Sequence, residues 1–229
     1  MFLDLNSDLG EGCGLDADLM PLVTSANICC GFHAGDATTA HAALKRAAKH
    51  GVQVGAHPGY ADREQFGRRE LTLSEDSLYE LCVYQVGALA GLAKAAGVVL
   101  RYIKPHGALY NQGCRDDAVA RPIIAAAQLL NLPVMALPGS RLEALSPGGF
   151  IAEGFADRRY LPDGTLVPRT RSDAFVHDVA EAVAQADWLM REKGIRTLCV
   201  HGDNPQAIDF VRGLRDAFIR RGIVIRAFA

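Results

Sequence analysis

Histidines, carboxylates and a lysine recur in this chain at one kind of place, just beyond short apolar runs. Asn6, Asp8 and Glu11 follow the first run, Asn27 and His33 the second, and His57 the third. Lys104 and His106, then Asp157 and Arg158, then His201, Asp203 and Asn204 close later ones. Imidazoles and carboxylates move protons near neutral pH, so such a set suits hydrolysis. Asp8 and Glu11 can serve as acid and base or bind polar substrate groups, and the same residue types also cap helices and form turns. Asp8, His33 and His57 can also make a divalent metal site, because two imidazoles and a carboxylate leave a hydrolytic metal with open positions. His41, His50 and His177 lie in helical stretches without companion chemistry and read as ordinary histidines.

Three glycine-bearing loops can hold phosphate or carboxylate: Gly31 to Asp36, which includes Gly35, then Gly107 to Gly113 and Gly202 to Pro205. The first and last open helices, whose free N–H groups favour anions. No G-x-x-x-x-G-K-[ST] pattern occurs, so a nucleotide would not be held by a Walker A loop.

The elements that must position these groups alternate. Short strands at Phe2–Leu5, Ser25–Phe32, Val52–Ala56, Val98–Ile103, Pro133–Leu137, Phe150–Phe155, Arg196–Val200 and Val224–Phe228 are separated by helical stretches. Asp36 caps the helix over Ala37 to Ala48, which stops at Gly51. Thr72 and Glu75 fit a capping box for a long helix ending at Gly97. Further helices are expected over Asp116–Asn131, Phe175–Lys193 and onward from Pro205. Seven or eight βα units predict a single-domain, mainly parallel barrel over residues 1–229. In such a barrel the strand ends meet on one face, where polar residues read as catalytic or binding.

The bulk properties agree. At 229 residues and 49% hydrophobic, the chain can bury a large core without staples. A net charge of −2 with no Lys/Arg block gives no reason to expect nucleic acid or an anionic membrane as partner. There is no basic, apolar leader and no long apolar run, so the expected location is the cytoplasm. The six cysteines form no C-x-x-C pair and read as reduced core thiols.

Blocks at these same residues resemble the LamB/YcsF family, that is, the A subunits of 5-oxoprolinases. They are Asp4-Leu-Asn-Ser-Asp-Leu-Gly-Glu11, Ser25-Ala-Asn-Ile-Cys-Cys-Gly-Phe-His-Ala-Gly-Asp36 and Gly55-Ala-His-Pro-Gly-Tyr60. Phe66-Gly-Arg-Arg69, Tyr84-Gln-Val-Gly-Ala88 and Lys104-Pro-His-Gly-Ala-Leu-Tyr-Asn111 follow, then Phe155-Ala-Asp-Arg158, Asp163-Gly-Thr-Leu-Val-Pro-Arg169 and Cys199-Val-His-Gly-Asp203. Two segments, Cys13 to Pro21 and Lys193 to Cys199, look shorter than in many relatives.

The resemblance implies a distorted barrel like that of glycoside hydrolases and deacetylases. It also implies ATP-dependent opening of 5-oxo-L-proline to L-glutamate together with two other subunits, B and C. On that reading Asp8 and His57 act on water or metal, and His33 is a metal ligand or general acid. Lys104 and His106 stabilise oxyanion or phosphoryl charge, with Glu11 also catalytic. Asn6, Asn27 and Gly35 contribute to binding substrate or phosphate. Arg68, Arg69 or Arg158 grips the substrate carboxylate, whose geometry matches a guanidinium fork. Asp203 orients a histidine or binds a cation. The readings that compete are a metal-dependent amidase or deacetylase acting on a sugar or small amide, and a non-catalytic substrate-binding subunit. Homo-oligomerisation is compatible with all of them.

Overall fold

The computed structural model describes residues 1–201 and 206–228. The chain runs β1 (Phe2–Leu9), α1 (Asp16–Leu19), β2 (Ser25–Cys29), α2 (Ala37–His50), β3 (Gln53–His57), α3 (Glu75–Ala95), β4 (Leu100–Ile103) and α4 (Gly107–Arg115). It continues with α5 (Asp117–Leu129), β5 (Val134–Ala136), α6 (Arg141–Ala144), β6 (Phe150–Phe155), α7 (Val179–Glu192), β7 (Thr197–Cys199), α8 (Ala207–Arg220) and β8 (Val224–Ile225). Neighbouring strands from β1 to β7 pair in chain order, and β7 pairs back onto β1, closing a ring of seven parallel strands. β8 is the extra strand: it pairs in parallel with Phe2 and Leu3 of β1, below the stretch that β7 occupies. The expected distorted, parallel barrel is therefore present, with seven strands in the ring.

Local chemistry sets most boundaries. The Asp36 side chain accepts from the Thr39 N–H while Thr39 Oγ1 accepts from the Asp36 N–H, both at 2.8 Å, so α2 starts with a reciprocal cap. Ala40, Ala43, Leu44 and Ala47 face the core, and Gly51 closes the helix at φ +65°. The cap expected at Thr72 lies instead at Ser74, whose Oγ accepts from Ser77 N–H, because the helical turns begin only at Glu75. The segment from Phe175 turns helical only at Val179, since Phe175 pairs with Arg158 as an antiparallel bridge and Asp178 supplies the cap.

Two departures matter for the site. β1 extends through Leu9, past the expected stop at Leu5. Asn6, Ser7 and Asp8 are poor strand formers, but pairing with β2 and β7 on both sides overrides that preference. The segment Gly107 to Gly113, expected as an anion-holding loop, is the body of α4. Ala108, Leu109 and Tyr110 are buried there, and a Cβ on Gly113 would come within 3.0 Å of Ile123. Its backbone groups serve the helix and the packing.

Leu3 and Leu5 of β1 belong to the main core against the helices, while Asp4, Asn6 and Asp8, one residue out of phase, carry the polar contacts inside the ring. A small apolar cluster of Tyr102, Met135 and Ile151, covered by Phe228, is separate from that main core. No helix among the described residues is long and apolar enough to cross a membrane.

Candidate functional site

A buried polar column runs from Asp4 to the C-terminal ends of the strands. Asp4 accepts hydroxyl hydrogen bonds from Thr24, Ser25 and Thr197. Burial raises its carboxyl pKa to about 6 against those bonds. Next, Asn6 donates to Thr197 Oγ1 (2.7 Å) and Glu153 Oε1 (3.1 Å) and accepts from Asn27 Nδ2 (2.7 Å). Tyr102 donates its hydroxyl to Asn27 Oδ1 at 2.7 Å, and Asn27 donates to Asp8 Oδ1 at the same distance.

Lys104 is only 2% exposed. Its Nζ lies 2.7 Å from Glu153 Oε1, 3.1 Å from Asp8 Oδ1 and 3.3 Å from Asn6 Oδ1, with Cys199 Sγ at 3.1 Å. An ammonium has three protons, so these contacts commit it to the column. Burial disfavours its charge, but Asp8 and Glu153 outweigh that and hold its pKa well above the usual lysine range. Burial likewise disfavours ionised Asp8, yet His57 and Lys104 hold its carboxyl well below the usual value. The ion pair is thus charged and dry, and removing either member leaves an uncompensated buried charge.

Above it stand three imidazoles and a second carboxylate. His57 Nδ1 lies 2.7 Å from the Lys104 carbonyl and His106 Nε2 lies 2.8 Å from the Phe66 carbonyl. A carbonyl only accepts, so those nitrogens carry the hydrogens. The other ring nitrogens, His57 Nε2 and His106 Nδ1, lie 3.0 Å apart. Glu11 Oε1 is 3.2 Å from His33 Nε2, 3.5 Å from His106 Nδ1 and 3.9 Å from His57 Nε2, and Asp8 Oδ2 is 3.4 Å from His57 Nε2. Burial, reinforced by the neighbouring imidazoles, lowers the pKa of His33 and His106 well below normal and keeps them neutral. The rings of His33 and His106 stack at 3.8 Å. Gly59 and Gly67 leave room for them: a Cβ would come within 2.5 Å and 2.7 Å of His33. Two ring nitrogens this close, with a carboxylate oxygen beside them, share a proton or a cation between them. Glu11, His33, His57 and His106 offer ligand atoms that all lie within 4.8 Å of one another, a donor set that suits a divalent transition metal.

A third group completes the face. His201 Nδ1 sits 2.9 to 3.0 Å from both oxygens of Asp157, and its ring stacks on Phe155. Ligand atoms of His201, Asp8 and Cys199 lie within 4.8 Å of each other. His201 and Asp157 also line a cavity of about 570 Å³ with Val176, His177 and Phe210.

Of the residues singled out in the sequence, the structure gathers Asn6, Asp8, Glu11, Asn27, His33, His57, Lys104 and His106 into one contiguous network. Arg68 sits over the Phe66 ring, 4.9 Å from its centroid, and Phe66 in turn packs on His33 and His106. Arg158 is buried beside Phe175. Arg69 is drawn elsewhere: its side chain is 61% exposed and pairs with Asp62. Gly35 is a packing glycine, at φ +56°, where a Cβ would fall 2.1 Å from the Gly10 carbonyl oxygen. Asp203, Asn204 and the Gly202 to Pro205 loop lie outside the described residues. All six cysteines are free thiols, as expected, but not all are core: Cys13 is exposed, and Cys29 and Cys199 face the site. Sequence reasoning missed Glu153, although a lone carboxylate inside the otherwise apolar run Phe150–Phe155 was a usable signal.

The sequence model of the LamB/YcsF family matches residues 3–229. The chain belongs to the LamB/YcsF family. Among its relatives, proteins named as the A subunit of 5-oxoprolinase in Neisseria meningitidis strains of serogroups A, B and C are each 46% identical, covering 98% of this chain and 99% of theirs. Among solved structures, the lactam utilization protein of Thermus thermophilus superposes with a TM-score of 0.90 at 39% identity over the whole of both chains. A putative cellobiose-phosphate cleavage protein from Enterococcus faecalis shares the fold at a TM-score of 0.64 and 14% identity, over 97% of this chain and 95% of that one. A family 4 carbohydrate esterase from Streptomyces lividans does so at 0.56 and 9%, over 100% and 93%.

Proposed function

We propose that this LamB/YcsF chain is the A subunit of a 5-oxoprolinase, opening the lactam of 5-oxo-L-proline to L-glutamate. The observation that carries the reading is the convergence of Asp8, Glu11, three imidazoles and the Asp157–His201 pair on one barrel face, in a chain so close to proteins bearing that name. ATP is the co-substrate of the assembled enzyme, bound with partner subunits B and C, which fits a chain without a Walker A loop.

A lactam resists water because its amide is resonance-stabilised, so the site must activate water, polarise the carbonyl and protonate the leaving nitrogen. Asp8 Oδ2, 3.4 Å from His57 Nε2, and His106 Nδ1, 3.0 Å from the same nitrogen, are the groups that would take the proton of the attacking water. Lys104, tied down by Glu153, fixes Asp8 in its ionised form and acts as a positioning residue. Glu11, His33, His57 and His106 would hold a divalent metal, which when bound lowers the pKa of a water and polarises the amide carbonyl. His201, oriented through Nδ1 by Asp157, protonates the nitrogen as the ring C–N bond breaks, releasing the amine of glutamate.

The test is glutamate release from 5-oxo-L-proline with ATP and the partner subunits, with the chain present or absent. Asp8→Asn and His201→Gln should each lower turnover about 100-fold or more in protein that still melts cooperatively, while Lys104→Met, which strands Asp8 and Glu153 without their cation, should lower the melting temperature as well. Near wild-type turnover by these variants would remove the mechanism. The metal-binding geometry favours one second reading, a metal-dependent amidase on an acetylated sugar or small amide. ATP-independent activity on such a substrate, abolished by chelator, would favour it.

A further inference from the structure

The Lys104 ammonium sits in a shell built of the atoms that divalent metals take as ligands. Glu153 Oε1 (2.7 Å), Asp8 Oδ1 (3.1 Å), Cys199 Sγ (3.1 Å) and Asn6 Oδ1 (3.3 Å) surround its Nζ, and they come from three other strands, β6, β1 and β7. The side chain is buried, and its Nζ lies 5.2 Å from the centroid of Phe155, the ring on which His201 stacks. Asp8, Cys199 and His201 by themselves present ligand atoms within 4.8 Å of one another, a set of oxygen, sulfur and nitrogen donors of the kind that holds zinc. Asp8 faces two ways. Its Oδ1 meets the ammonium, while its Oδ2 lies 3.4 Å from Nε2 of His57, a member of the Glu11, His33, His57 and His106 group.

Two donor groups joined through a carboxylate are the layout of a two-metal hydrolytic centre, in which the ions stand about 3.5–4 Å apart. Here one of the two positions already holds a cation that the chain carries itself. A divalent ion entering the Asp8, Cys199 and His201 group would meet an ammonium 3.1 Å from both Asp8 Oδ1 and Cys199 Sγ, and like charges that close in a buried space exclude one another. We propose that this centre takes one divalent ion, at Glu11, His33, His57 and His106, and that the Lys104 ammonium is its built-in second cation, filling the position that Asp8, Cys199 and His201 would otherwise offer to another ion. An ammonium has no open coordination position. It holds Asp8 ionised but does not lower the pKa of a water as a metal does, so the two cations have different work. It also stays in place when metal is withdrawn. The inference takes from the proposed function only the ion at the first group.

Equilibrium dialysis of the full chain against zinc chloride counts the positions. Wild type should hold about one zinc per chain, and Lys104→Ala, which removes the cation and opens its space, about two. Cobalt in place of zinc reports the ligands, since a thiolate bound to cobalt adds a sulfur-to-metal charge-transfer absorption. That absorption should appear in Lys104→Ala and be lost when Cys199→Ser is added to it. The second substitution separates Cys199 from Cys29, whose Sγ lies 3.3 Å from His33 Nε2. Lys104→Ala leaves two buried carboxylates without their cation, so it is refolded with zinc present, and the second ion should restore cooperative melting. A Lys104→Ala chain that stays unfolded in saturating zinc, holds only one ion, or shows no Cys199-dependent absorption overturns the proposal. So does a wild-type chain that holds two ions or none. One ion in wild type and two in Lys104→Ala, without glutamate release from 5-oxo-L-proline, would sink the proposed reaction and leave this inference standing. Glutamate release by a wild-type chain holding two ions or none would do the reverse.

Discussion

Asp4 and Asp8 sit on one strand and respond oppositely to burial. Asp8 has a lysine and a histidine beside it and stays ionised, whereas Asp4 is held by hydroxyl donors. Asp4 therefore holds its proton in the folded state up to about pH 6 but only to about 3.8 when unfolded. Its contribution to stability falls as pH rises through that window, by on the order of 3 kcal/mol. Asp8 does the opposite at lower pH, adding stability that is lost as pH drops below its normal carboxylate range. Asp4→Asn should flatten the pH dependence of the melting temperature between about pH 4 and 6 and leave the acid limb below about pH 4 intact. An unchanged profile would mean Asp4 is not protonated there. At this scale the sequence was most informative about residue type and placement: strand-end histidines and carboxylates were legible because barrels collect strand ends on one face. The partners of each group were not legible. That Lys104 directs its protons to Glu153 and Asp8 depends on strands meeting across the ring interior.

At the scale of elements, the strands and the larger helices could be read from apolar rhythm and caps, as α2 illustrates with Asp36 and Gly51. Reading failed where tertiary pairing overrode local preference, as in the polar half of β1, and where a glycine marked close packing instead of a turn, as at Gly113. Gly55 of β3 shows how tight the interior is. A Cβ there would lie 2.1 Å from the Tyr102 ring, whose hydroxyl anchors Asn27. Gly55→Ala should destabilise the fold by about 1–3 kcal/mol, seen as a lower denaturation midpoint at unchanged slope. It should also impair activity through Asn27 and Asp8. A midpoint equal to wild type would show that the ring can shift freely, contrary to this packing.

For the whole molecule, a ligand that binds only the folded chain stabilises all of it. The four residues of the proposed metal group come from the segments following β1, β2 and β4 and from the end of β3, so they assemble only when the barrel does. Zinc at about 100 times its dissociation constant should then add about 2.7 kcal/mol to stability and raise the melting temperature by a few degrees. His106→Asn should abolish most of that shift, and a zinc-independent melting temperature in the wild type would dismiss the metal.

The ring also has a seam with a direction in time. β1 is emitted first during synthesis, yet its Asp4 to Asn6 edge pairs with Thr197 to Cys199, and Phe2 and Leu3 pair with Val224 and Ile225. On a ribosome, the strand that carries Asp8 must therefore wait, one edge unpaired, until nearly the whole chain has emerged. Polar inward residues suit that wait, since a nascent strand with solvated carboxylates and amides is a poor template for aggregation.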